Sequence, residues 1–349
     1  MNKPSAIESA RRRLNQWTHR VGTLPILILM PHSRCNARCI MCDIWKANAQ
    51  AKTLTCDELR PHFESIEKLE IHRVVLSGGE PLLHKNLWTL CSLITELLQA
   101  KITLLSTGLT IEKHAESISH HIDDVILSLD GSPKRHEKIR RIPDAYERMH
   151  KGVKAVRSHN AQIKISARSV VQKQNFKELS QTIDAAKNLG LDSISFLPVD
   201  IATDAFNHTD TMTETQTEEL GLTKTDIDEF EQKLETLIQN RKEDFDNKFI
   251  SESPEKMRRM VQFFRAQIGE APFPEVRCNA PWVSTVVESD GRVMPCFFQS
   301  AFGRLEDGPL EQIINSSAAV NFRKNLDVKT DPICQTCVCS LELGARGIV

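Results

Sequence analysis

The sequence predicts an α/β protein, a partial (β/α)6 barrel of the TIM type, followed by a helical connector and a small cysteine-bearing C-terminal domain. Three observations predict it. Short β-type runs alternate with segments of helical period as far as Asp200, the pattern of a parallel sheet with crossover helices. That rhythm stops there, and a highly charged stretch rich in Thr, Glu, Gln and Lys follows over 206–275. Five of the ten cysteines then fall beyond that stretch. With 349 residues, two domains or one barrel with an appendage are the natural options. The expected division is an N-terminal extension (1–20), the barrel (21–205), the connector (206–275) and the C-terminal domain (276–349).

Element by element, the strands are expected at 24–30, 72–76, 101–105, 123–129, 162–170 and 192–197. The run Arg11, Arg12, Arg13 with Trp17 reads as a solvated basic first helix. Between the first two strands, Thr55 and Glu58 have the spacing of a capping box, which places Cys56 in a first helical turn. Helices follow at 86–99, 111–119, 145–157 and 175–188, the last closed by Gly190. In the connector, Phe230, Leu234 and Leu237, then Phe263, Phe264 and Ile268, recur at helical spacing and imply packed helices near 224–241 and 254–268. No internal repeat of fixed period indicates a solenoid.

Two motifs carry chemistry. Cys35, Cys39 and Cys42 form C-x3-C-x2-C straight after the first strand. Thiolates are soft ligands that select iron-sulfur clusters or zinc. Three of them suit a cubane cluster with one iron left open, and with His32 added they would also suit a closed zinc site. The second motif, Gly78-Gly79-Glu80-Pro81, follows the second strand, where glycine lets backbone approach a ligand closely. The pair, one β/α unit apart, resembles the radical S-adenosylmethionine (SAM) superfamily.

That resemblance implies that the open iron chelates the methionine amino and carboxylate groups of the cofactor, and that Gly78, Gly79, Glu80 and Pro81 receive its ammonium group. It implies ribose and carboxylate contacts from residues at the carboxyl ends of later strands, where barrel chemistry resides: Ser106, Thr107, Ser128, Asp130, Ser166 and Arg168. Met41 precedes the third cysteine where the family commonly has an aromatic residue near the adenine, so a thioether fills that role or Trp45 assists.

The C-terminal cysteines follow the order Cys278, a hairpin signal at Asp290-Gly291, Cys296, a helix near 309–325, then Cys334, Cys337 and Cys339. This resembles the auxiliary iron-sulfur extensions called SPASM and, in shortened form, Twitch. Two all-thiolate clusters would demand eight cysteines there. Five are present, so one auxiliary 4Fe-4S cluster on Cys278, Cys296, Cys334 and Cys337 is the economical assignment, with Cys339 to spare and zinc as the competing occupant. The resemblance thus implies two 4Fe-4S clusters and SAM, reductive cleavage to a 5'-deoxyadenosyl radical, hydrogen abstraction, and transfer of a second electron to the auxiliary cluster. Asp200 and Asp204, past the sixth strand, are the candidate substrate bases. A small-molecule substrate is the leading expectation, a peptide the alternative, and an electron carrier or scaffold without turnover the reading from another class. An external one-electron reductant of flavodoxin or ferredoxin type is expected.

Composition narrows the partners. With 45 basic and 46 acidic residues, no electrostatic footprint for nucleic acid exists. The apolar run 24–30 is far short of the ~20 residues that span a bilayer. The start of the chain lacks the order of a secretory signal, and the ten cysteines are read as those of a protein in a reducing cytoplasm.

Overall fold

The computed structural model describes residues 5–207, 213–344 and 347. Its centre is a nine-stranded sheet made of β1 (Ile26–His32), β2 (Arg73–Gly78), β3 (Lys101–Ser106), β4 (Asp124–Ser128), β5 (Lys164–Val171), β6 (Ser193–Pro198), β7 (Ser284–Val287), β8 (Arg292–Met294) and β9 (Gly303–Arg304), ordered 6-5-4-3-2-1-7-8-9. Strands β1 to β6 pair in parallel with their sequence neighbours. The barrel stays open because β1 spends its second edge on β7, also parallel, instead of on β6. The β7–β8–β9 meander is antiparallel. The sheet therefore runs unbroken from the barrel into the C-terminal cysteine region.

Side-chain alternation along each strand creates two faces. Leu27, Leu29, Val74, Leu76, Ile102, Leu104, Val125, Leu127, Ile165 and Ala167 are almost fully buried in the main core. The intervening Ile26, Ile28, Val75, Leu105, Ile126 and Arg168 line an internal cavity. The unpaired edge of β6 is covered by the connector, where Ile194 donates to Phe249 O and accepts from Ser251 N at 2.7 and 2.9 Å. Covering that edge removes a template for pairing with another chain.

Several helices depart from the expected pattern for local reasons. The capping box at Thr55 forms, but its helix, Cys56–Leu59, passes through a 3-10 turn containing Pro61 before Phe63–Lys68 resumes. Proline has no N–H to continue the ladder. The expected helix 309–325 is two, Leu310–Ile314 and Ser317–Asn325, because Ser316 caps the second by accepting from Ala319 N. Helix Pro133–Arg140 escaped the sequence reading. The first helix, Ala6–Thr18, turns polar residues inward: Glu8, Arg12 and Asn15 are buried, while Trp17 is 80% exposed.

Connector helices Lys224–Asn240 and Pro254–Gln267 pack on the barrel through a chain of edge-to-face rings, Phe176 to Phe230 at 6.1 Å and Phe230 to Phe264 at 5.9 Å. Among the described residues no helix is long and apolar enough to cross a membrane. Phe230 is completely buried at the centre of this chain. Replacing it with alanine is expected to cost about 3–5 kcal/mol, read as a lower urea midpoint.

Candidate active site

The site is built where the segment after β1 meets the turn after β2. Gly79 N donates to His32 O at 3.1 Å and Glu80 N to Arg34 O at 2.8 Å, so the two loops are stitched by backbone. A Cβ on Gly79 would lie 2.3 Å from Arg34 O and 2.5 Å from Ser33 O, and one on Gly78, at φ +114°, would lie 2.8 Å from His32 O. The glycines are needed because the launch of the cysteine loop presses on them, a reason different from the ligand approach expected. The loop is held elsewhere as well: Cys35 N donates to Asn48 Oδ1 at 2.9 Å, Arg38 N to Arg140 O at 3.2 Å, Ile40 N to Ile139 O at 3.1 Å and Asp43 N to Phe206 O at 3.1 Å.

Cys35, Cys39 and Cys42 line one cavity of about 210 Å³ together with Met41, Gly78, Gly79, Ser106, Thr107, Ser128, Arg140, Arg168, Asp200 and Phe206. Burial pushes the Cys35 thiol up to about 12 and the Cys42 thiol up as well, with neighbouring Cys39 adding to both shifts. Buried neighbouring thiols of this kind are stabilised as thiolates by binding metal.

Glu80 is different from expectation. It is completely buried, absent from the cavity wall, and its carboxylate accepts from Thr107 N at 2.7 Å, Thr107 Oγ1 at 2.6 Å, Ser106 Oγ at 3.0 Å and Leu82 N at 3.2 Å. Burial pushes its pKa up against these donors. Glu80 thus fixes the loop after β3, and the Ser106 and Thr107 hydroxyls are turned to that task. Pro81 begins a short 3-10 turn behind the wall.

Asp130 also corrects a sequence expectation. Its carboxylate accepts from Val170 N at 2.8 Å and pairs with Arg140 Nη2 at 2.5 Å, and none of the residue is exposed to meet a ribose. Ser166, on the inner face of β5, makes a 3.4 Å contact to Val125 O and lines neither cysteine cavity. Ser128 and Arg168 do face the lumen, on adjacent strands in register. Asp200 lines the cavity and accepts from Ala202 N at 3.0 Å and Thr203 N at 3.3 Å. Asp204 is exposed and lies outside it.

The second cysteine set closes the lumen from the side. Cys278, Cys296, Cys334, Cys337 and Cys339 line a cavity of about 420 Å³ together with the inner faces of β1 to β5. Gln299 Nε2 reaches Asp331 Oδ1 at 3.0 Å and Cys334 Sγ at 3.7 Å, and Cys339 N donates to Cys337 Sγ at 3.4 Å. Leu105, Ile126 and Arg168 belong to the walls of both cavities. The rings of Phe206 and Phe298 meet at 6.3 Å between the two cysteine regions.

An all-thiol donor set of this kind fits an iron-sulfur cluster. Among the described residues no three His, Cys, Asp or Glu side chains converge on one metal ion. His32 is engaged through Nδ1 with Thr53 Oγ1 at 2.8 Å and does not line the cavity. On the wall of the first cysteines' cavity, Arg140 Nε is a buried donor without a hydrogen-bond partner, as expected of a wall facing an anionic group. Arg140, Phe206 and the ion pair of Arg73 with Asp124 on the lumen wall were all missed from sequence. Ser132-Pro133, a helix-start signal, could have revealed the helix that carries Arg140.

Residues 29–186 match the radical SAM superfamily, and residues 278–338 match SPASM, an iron-sulfur cluster-binding domain. The chain carries a radical SAM domain followed by a SPASM domain. Both of its matched domains imply 4Fe-4S clusters. The AdoMet-dependent heme synthase of Methanosarcina barkeri is 27% identical over 159 residues, 45% of this chain and 45% of that protein. The chain spans about half the length of the curated relatives it matches. Streptococcus suis SuiB bound to precursor peptide SuiA shares the fold with a TM-score of 0.64 at 15% identity, over 94% of this chain and 74% of that one. Native anSMEcpe with bound AdoMet and Cp18Cys peptide does so with 0.62 at 18% identity, over 89% and 87%.

Gly79→Ala is expected to force the two loops apart and cost more than about 1 kcal/mol, seen as a lower melting temperature. Gly344→Ala, with nothing within 4 Å of its Cβ, serves as the control without effect.

Proposed function

We propose that this protein is a radical SAM oxidoreductase that abstracts a hydrogen atom from a substrate held in the barrel lumen and completes a two-electron oxidation with the help of an auxiliary 4Fe-4S site. One observation carries the reading: the two cysteine sets open onto cavities that share Leu105, Ile126 and Arg168, so a substrate between them is within reach of both. The chemistry that a site-differentiated 4Fe-4S cluster and SAM supply when bound is reductive carbon-sulfur cleavage leading to hydrogen abstraction from an unactivated carbon.

In this reading Cys35, Cys39 and Cys42 hold the first cluster, and Cys278, Cys296, Cys334 and Cys337 the auxiliary one. Gly78, Gly79, Met41, Ser128 and Arg168 line the SAM cavity, with the Arg168 guanidinium suited to pair a carboxylate. Glu80, Ser106 and Thr107 hold the wall. The apolar faces of Ile26, Ile28, Val75 and Ile126 exclude water from the lumen. Asp200 is the carboxylate on the first cavity's wall among the described residues, which favours it over Asp204 as the group that takes the substrate proton. A one-electron donor of flavodoxin or ferredoxin type serves the first cluster.

A small molecule suits cavities of about 420 and 210 Å³. A peptide is the second reading, favoured by an outer groove of about 550 Å³ between the end of β6, helix Pro254–Gln267 and residues 335–342, which meets the lumen at Arg168, Cys337 and Cys339. SuiB and anSMEcpe, which share the fold, are each seen with a bound peptide. Deuterium transfer into 5'-deoxyadenosine from a labelled sugar alcohol or from a labelled peptide distinguishes the two.

Reconstituted protein is expected to hold about eight irons in two 4Fe-4S clusters; four irons with one zinc would remove the auxiliary role. Cys35→Ala, Cys39→Ala or Cys42→Ala should abolish 5'-deoxyadenosine formation, and undiminished formation would refute the proposal. Cys334→Ala should keep SAM cleavage while substrate oxidation stops. Asp200→Asn is expected to lower the turnover number at least about a hundredfold, the lower end of general-base contributions, and normal kinetics would exclude it as the base.

A further inference from the structure

Arg140 ends helix Pro133–Arg140 and reaches back into the cavity of the first cysteines. Its side chain is 11% exposed. Nη1 donates to Cys39 Sγ at 3.3 Å, Nη2 pairs with Asp130 at 2.5 Å, and Nε has no hydrogen-bond partner. The cysteine loop is tied to the same segment by backbone, through Arg38 N to Arg140 O and Ile40 N to Ile139 O. Asp130 is in turn fixed by Val170 N, and its own N–H donates to His136 Nδ1 at 3.2 Å. The guanidinium is therefore held at one thiolate of the triplet from two directions, and it cannot swing away without leaving Asp130 buried and unpaired.

A hydrogen bond and a positive charge on a ligating sulfur stabilise the more negative, reduced form of an iron-sulfur cluster. We propose that Arg140 is a positioning residue that sets the reduction potential of the first cluster through its N–H···S bond to Cys39, with Asp130 as the counter-charge that limits the effect. The inference rests on the cluster reading above. Arg140 raises the potential and Asp130 lowers it, so the pair acts as an opposed setting beside Cys39.

The test is a redox titration of the reconstituted holoenzyme followed by electron paramagnetic resonance, using the signal that changes on adding SAM as the marker of the first cluster. Arg140→Gln should shift that midpoint to more negative values and Arg140→Lys should recover part of the shift, with the auxiliary cluster's midpoint unmoved. Asp130→Asn should shift the first midpoint in the opposite direction. A residue that merely braces the loop would move both variants the same way, or both clusters together, and either result overturns the proposal, as does an unmoved midpoint in protein with full iron content. Should Arg140→Gln fail to assemble, the opposite signs expected of Arg140→Lys and Asp130→Asn still decide it. Parent protein without a cluster at Cys35, Cys39 and Cys42 would overturn the cluster reading and this inference with it, whereas an intact cluster with an insensitive midpoint overturns this inference alone.

Discussion

The contact on which the rest of the site depends is the backbone clasp between the loop after β1 and the turn after β2. Two peptide N–H groups, at Gly79 and Glu80, are spent on the carbonyls of His32 and Arg34, and the two chains approach so closely that a single methyl group on Gly79 would collide with two carbonyl oxygens. Buried backbone groups need partners. Here the partners are in each other's loops, so the position of the cysteine loop is a consequence of the β1–β2 pairing beneath it. From that clasp the order extends outward: Glu80 gathers the donors of Ser106 and Thr107, and thereby sets the loop after β3.

The strand alternation then decides what the site looks into. One set of side chains buries against the helices, and the other leaves a lumen walled by aliphatic residues with a few charged groups, Arg73 paired with Asp124, and Arg168. Because β1 pairs with β7, the same hydrogen-bond ladder that opens the barrel also brings the SPASM cysteines against that lumen. Opening and closure are one event. The connector completes the arrangement by masking β6 and by placing Phe206 between Asp43 of the first loop and Phe298 of the last domain.

Much of this was legible from local pattern. The six parallel strands and the capping box at Thr55 are short-range signals, and each came out where the spacing put it. The missed and corrected features share a different cause. Glu80, from the glycine motif, and Ser106 and Thr107, after the third strand, are ligand contacts by resemblance, and only the fold shows that their polar groups bond to one another. Asp130 read as a ribose contact, yet its partner Arg140 comes from a helix whose only local signal was Ser132-Pro133. Asp200 and Asp204 were equivalent in sequence; only the fold of the loop after β6 puts the first on the cavity wall and the second in solvent.

By itself, then, the sequence determined ligand chemistry and strand order, since thiol spacing and a two-residue period are properties of consecutive residues. The tertiary structure decided which polar groups hold the wall and which face the cavity, that both thiol sets share one lumen, and that a guanidinium is held against Cys39. Those outcomes depend on residues far apart in sequence being brought within hydrogen-bond distance, as Cys39 and Arg140 are across 101 positions, and on the cost of burying a charge without a partner. No local pattern encodes which partner that will be.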